Sequence, residues 1–184
     1  DFDPEDNVLS NESVDNSKFS YLAPLFHSNT ITGLDTCIRK PYVATCSLDH
    51  TVRILNYQKS AVVVSQKFSS EAYSIALHPS GLYCVVGFAD KLRFMKILGS
   101  RLVEEKLFAI RKCEEVKFSH GGQYFAAVNG TVVNVYHSHT LQPAYSLRGH
   151  TSKVRSIVWK EDDTHIISAG IDGCVFDFLL YRFL

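Results

Sequence analysis

Two histidines in this chain stand at one and the same distance from an aspartate. His27 precedes Asp49 by 22 residues and His150 precedes Asp172 by 22. Each interval holds a hydroxyl residue at the same place, Thr45 in one and Ser168 in the other. Imidazole, carboxylate and hydroxyl are the groups of an acid–base dyad with a nucleophile. They are also the groups of a buried structural strut, because a buried His must satisfy two ring nitrogens and a buried carboxylate needs donors. An active site usually occurs once, whereas a scaffold motif recurs with its scaffold, so the duplication favours the strut. His137-Ser138-His139 puts two imidazoles on one side of a strand, where they could chelate. No cysteine or carboxylate follows at zinc-site spacing, and the stretch reads as a polar exit from a strand into a turn. No G-x-S-x-G, Walker or G-x-G-x-x-G pattern is present.

The elements that position these groups follow from a repeat. The segment HSNTITGLDTCIRKPYVATCSLDHTVRIL, from His27, aligns without a gap on HTSKVRSIVWKEDDTHIISAGIDGCVFDF, from His150. Ile31 falls on Val154, Leu34 on Ile157, Val43 on Ile166 and Val52 on Val175. The two copies are 123 residues apart, three units of 41. Two more units lie between them, AYSIALHPSGLYCVVGFADKLRFMKI and CEEVKFSHGGQYFAAVNGTVVNVY. Each alternates β-rich runs with Gly, Pro or Asn turns, and Asn129-Gly130 is a strong hairpin signal. Helical periodicity is absent. Units of four short antiparallel strands every 40-odd residues predict an all-β chain of propeller blades. One such sheet cannot bury both faces alone, so blades must stack on their neighbours.

With the units aligned, the chain resembles WD40 repeats. The family pattern of Gly-His, strand, turn, strand with Ser or Thr, an Asp turn and a strand ending in Trp maps onto Gly149-His150, Ser168, Asp172 and Phe178. In the first unit it maps onto His27, Thr45, Asp49 and Leu55, and SLDHTVRILNY looks like the family's S-x-D-x-T-V-R-I-W. Met95 and Tyr136 take the Trp place in the middle units, which also lack the His. The resemblance implies a hydrogen-bonded network within a blade, shortened here because no unit has the Trp. That costs each network one bond, about 0.5–1.5 kcal/mol. GLDTCIRKPYVATCSLDHTVRI and KVRSIVWKEDDTHIISAGIDG resemble, more narrowly, WD40 proteins of motile cilia, over about residues 19–178. That resemblance implies tandem propellers followed by a coiled coil and a place in the axoneme, in the cytoplasm and cytoskeleton of the cilium or flagellum. It implies partners among axonemal complexes, inner dynein arm components and tubulin, and homo-oligomers formed through a coiled coil outside this segment. It carries no cofactor, metal or catalytic residue.

Blades are staggered against the repeat, so they are expected at about 30–68, 72–108, 113–148 and 153–184, with an orphan outer strand at 19–26 and an acidic tail at 1–18. That tail has six carboxylates before its first cation, Lys18. The last blade lacks an outer strand unless LLYRFL supplies it. The blades are expected to form part of a larger propeller, since WD40 rings usually have about seven blades and four is the lower limit; such a slice would leave apolar faces open at both ends. The alternative is a small four-bladed ring. Candidate partner contacts are loop or edge residues that read as exposed: His50, Tyr57, Lys67, Asp90, Arg93, His120, Tyr136 and Lys153.

Composition sets the outer bounds. The chain has 184 residues, 46% hydrophobic and 21% charged, with a formal net charge of zero. That balance argues against nucleic acid or an anionic membrane as partner. No apolar run is long enough to span a bilayer. Five cysteines without a CxxC pair suit a reducing compartment with thiols buried as small hydrophobes.

Overall fold

The computed structural model describes Leu22 and residues 27–180. The expected tail at 1–18, the orphan strand at 19–26 apart from Leu22, and the last residues of LLYRFL therefore lie outside the described residues.

Fifteen strands and no helix occur among the described residues. Strands β1 (Ile31–Thr36), β2 (Tyr42–Ser47), β3 (Thr51–Asn56) and β4 (Ala61–Lys67) form one antiparallel sheet in sequence order. Strands β5 (Ala72–Leu77), β6 (Tyr83–Phe88), β7 (Leu92–Leu98) and β8 (Arg101–Phe108) form the second. The third holds β9 (Val116–Phe118), β10 (Tyr124–Asn129), β11 (Val132–His137) and β12 (Pro143–Arg148). The fourth has three described strands, β13 (Val154–Trp159), β14 (His165–Gly170) and β15 (Val175–Leu179). These are propeller blades. The first strand of each meets the first strand of the next, so β1, β5, β9 and β13 line the axis.

The repeat extends to irregularities. A bulge falls in the first strand of three blades, at Ile31/Gly33, Ala72/Ser74 and Val154/Ser156. Another falls between third and fourth strands at Ile54/Leu55, Phe94/Met95 and Val135/Tyr136. Between second and third strands the chain reverses tightly. Gly130 takes φ 63° and Gly173 takes φ 75°, a region that costs glycine nothing. Gly87 serves a different purpose. A Cβ there would lie 2.3 Å from the Cys113 carbonyl oxygen and 2.5 Å from Ser74 Oγ, so the seam between the second and third blades requires its absence.

The described residues pack into three cores, one at each seam between blades. Ala44, Ile54 and Val64 of the first blade pack on Ile75, Cys84 and Met95 of the second. Val85 and Phe94 of the second pack on Val116 and Phe125 of the third. Ala126 and Val135 of the third pack on Ile157 and Ile166 of the fourth. The outermost faces are bare among the described residues. Leu34 is 59% exposed, while its repeat equivalents Ile75, Val116 and Ile157 are 3%, 1% and 1% exposed under a preceding blade. At the other end Ile167 is 41% exposed, while its equivalents Ala44, Val85 and Ala126 are fully buried under a following one.

Candidate functional site: twin hydrogen-bond struts and the loop faces

The loop before β1 brings His27 over the first blade. Its Nδ1 lies 3.0 Å from Asp49 Oδ2 and its Nε2 lies 2.9 Å from Thr45 Oγ1. A carboxylate can only accept, so in the neutral ring Nδ1–H donates to Asp49 and Nε2 accepts the Thr45 hydroxyl. Thr51 adds to this network. Its hydroxyl donates to Asp49 Oδ1 at 2.6 Å and lies 2.9 Å from His27 Nδ1. The backbone N–H groups of Ser28 and Thr51 also donate to Asp49.

The fourth blade repeats the arrangement. His150 Nδ1 lies 3.0 Å from both oxygens of Asp172, and Nε2 lies 2.8 Å from Ser168 Oγ. Thr151 and Cys174 donate their backbone N–H groups to Asp172. Cys174 stands where Thr51 stands in the first blade and has no hydroxyl to offer. Burial alone would raise both carboxyls. The hydrogen bonds outweigh it, holding Asp49 well below the ordinary carboxylate range and Asp172 at about 2.

The six residues expected to form networks are thus brought together in two groups of three. The Trp places behave less uniformly. Met95 is fully buried and Leu55 nearly so. Tyr136 is half-buried and stacks on Phe125. Phe178 is half-buried, but the ring that meets His150 edge-on, 4.7 Å away, belongs to Phe176. Strand register explains this, since Phe176 pairs with Ser168 while Phe178 pairs with Ile166. Sequence reasoning missed Phe176 and the part played by Thr51, although Thr51 was visible as the Thr of S-x-D-x-T.

Some expected surface residues are not at the surface, and one expected buried residue is. Arg93 is only 11% exposed. Its guanidinium lies 4.6 Å from the Phe88 ring centre, is 3.1 Å from Asp90 Oδ2 and pairs with Glu104. Asp90 is occupied by that pairing. His120 is exposed, yet its Nε2 reaches the Trp159 carbonyl and its N–H donates to Asp163. Lys153 pairs with Glu114. Tyr57 and Lys67 are exposed, and His50 is half-buried at φ 68° in the tight turn. Four thiols are buried, with Cys46 pushed up to about 11 and Cys84 and Cys113 to about 12 by burial. Cys174 is exposed, contrary to the expectation of buried thiols, because it sits in the tight turn after Asp172. β11 ends at His137, and Ser138 and His139 enter a turn.

Four sheets around an axis, with His–hydroxyl–Asp struts at equivalent places, define the class: the chain carries WD40 repeats folded as β-propeller blades. The WD domain, G-beta repeat family matches residues 21–56 and 141–176. The chain is similar to cilia- and flagella-associated protein 57 of Mus musculus, 50% identical over 162 residues, which is 88% of this chain and 13% of that protein. It is similar to cilia- and flagella-associated protein 57 A of Tetrahymena thermophila, 44% identical over 92% of this chain and again 13% of the relative. The chain thus spans about an eighth of the length of these relatives. Among solved structures, the Cps50 (Swd1) β-propeller domain of Myceliophteria thermophila superposes with a TM-score of 0.74 at 15% identity, over 84% of this chain and 53% of that one.

Proposed function

We propose that this chain is a non-catalytic interaction scaffold within a WD40 protein of the cilium or flagellum, and that its full-length protein helps dock or assemble inner dynein arms on the axoneme. The observation that carries the scaffold reading is the doubled strut. The Thr45 and Ser168 hydroxyls are buried and already bonded to imidazole, so the groups that could react are used in holding loops to sheet. The ciliary part of the reading is supported by the names of the relatives. We read the four blades as part of a larger ring. The bare end faces and the match to 53% of a propeller domain support this. Propellers present rigid loops on two faces, and binding belongs to those loops.

The test is expression of the tagged protein in ciliated cells with proximity labelling. Axonemal localisation with labelled inner dynein arm components is the expected outcome. Uniform cytosolic signal without ciliary neighbours would overturn the reading. Turnover of an ester or peptide substrate abolished by His150→Ala at an unchanged melting temperature would replace it with a hydrolase.

A further inference from the structure

The zero net charge of the sequence conceals a segregation. Six carboxylates and one cation lie in residues 1–18; with these and Arg182 set aside, 17 Lys and Arg face 13 Asp and Glu. Part of this surplus lies on one face of the fold. In an antiparallel blade, the turns joining second to third strands and the blade-to-blade connections share one face. On that face the carboxylates are engaged. Asp49 and Asp172 belong to the struts, Asp90 holds Arg93, and Glu71 accepts the Tyr73 hydroxyl. Lys67, Lys91, Arg111 and Arg148 are exposed there.

Two carboxylates remain, Glu114 and Glu115, and Glu114 is shared by three cations. Lys112 approaches to 3.9 Å, Arg155 to 3.2 Å, and Lys153 is in closer contact still. Their side chains are 59%, 63% and 34% exposed, so the cations remain accessible to a second anion. The cluster edges an open groove at the axis, to which Thr30 and Thr32 of the first blade, Tyr73 of the second, Glu115 of the third and Arg155 of the fourth contribute. Burial raises the Glu115 carboxyl, against the pull of Lys117. A carboxylate outnumbered by its cations at the edge of a concave opening is a place where a further carboxylate is attracted and can be held by charge-assisted hydrogen bonds.

We propose that the axial end of this loop face binds acidic protein segments, with Lys112, Lys153 and Arg155 as the anion-holding group and Glu114 as an internal competitor. This rests on the scaffold reading and names the chemistry of one partner. The probe is a fluorescent oligoglutamate peptide titrated into the full chain. Paired Lys153→Glu and Arg155→Glu changes weaken binding about tenfold, and Glu114→Gln tightens it about threefold. Binding weakens with salt, since these side chains are open to solvent. Lys153→Gln with Arg155→Gln gives the same direction and serves if the reversal unfolds the blade, as read from the thermal melt. The control is Arg39→Glu with Lys59→Glu on the opposite face. Equal loss there, no saturable binding, indifference to the cluster changes, or tighter binding of an oligonucleotide of equal charge overturns the proposal. Capture of ciliary partners that survives the cluster changes, alongside absent oligoglutamate binding, would sink this inference and leave the scaffold reading standing.

Discussion

At the scale of single residues, the two struts form an internal experiment. They share His, hydroxyl and Asp, but Thr51 closes the first while Cys174 leaves the second short by one hydroxyl. Cys174→Thr should therefore stabilise the chain by about 0.5–1.5 kcal/mol, and Thr51→Ala should cost a similar amount. Urea unfolding measures both. His150→Ala leaves Ser168 and Asp172 without their partner and should cost about 2–4 kcal/mol, largely from stranded polar groups. The struts also fix an acid dependence. The folded carboxyls of Asp49 and Asp172 lie below the unfolded value of about 3.9, so their contribution is complete above about pH 4. It is lost as pH falls from there through about 2. Asp172→Asn should flatten that part of the stability curve. The triads were legible because each has a 22-residue spacing and the same order. Phe176 was not, because the family pattern marks the Trp place two residues on, and only pairing with Ser168 identifies the ring beside the imidazole. Arg93 misled for a related reason. A charge just after a tight turn reads as surface, yet the second blade is covered on both faces, and this guanidinium lies against Phe88.

At the scale of elements, position in the repeat decides what a substitution does. Gly87 lies where the β6 backbone nearly touches the Cys113 carbonyl. Gly87→Ala should force the second and third blades apart at a cost of about 1–3 kcal/mol or more, visible as a lower midpoint in chemical unfolding. Leu34 and Ile75 occupy the same repeat place with opposite surroundings. Leu34→Lys should leave the melt nearly unchanged and reduce self-association, whereas Ile75→Lys buries an unpaired charge and should prevent folding. Light scattering and circular dichroism separate the two outcomes. The strands were readable from alternation and turn residues, since each blade repeats both. The inter-blade contacts were less so, because an apolar residue in a strand buried on both faces carries no sign of which neighbour it meets.

At the scale of the whole molecule, the axis gathers charges that no local pattern connects. Asp35 of the first blade accepts the Leu77 N–H of the second and lies 3.8 Å from Lys117 of the third. Burial raises Asp35 and also Glu115, against the pull of Lys117. A carboxyl whose folded value is raised destabilises the chain when ionised, so its cost diminishes as pH falls through the folded value. Glu115→Gln should raise the melting temperature at neutral pH, and the gain should shrink on acidification, the reverse of the strut aspartates.

The three separate seams have a consequence for motion. Among the described residues each inner blade is gripped from two sides and each outer blade from one, so in this chain taken by itself breathing should begin at the outer blades and travel inward like a concertina losing its last pleats. Amide protons of β14 should trade for deuterium sooner than those of β6 or β10, and anything that clasps an outer sheet should slow that trade from the rim first.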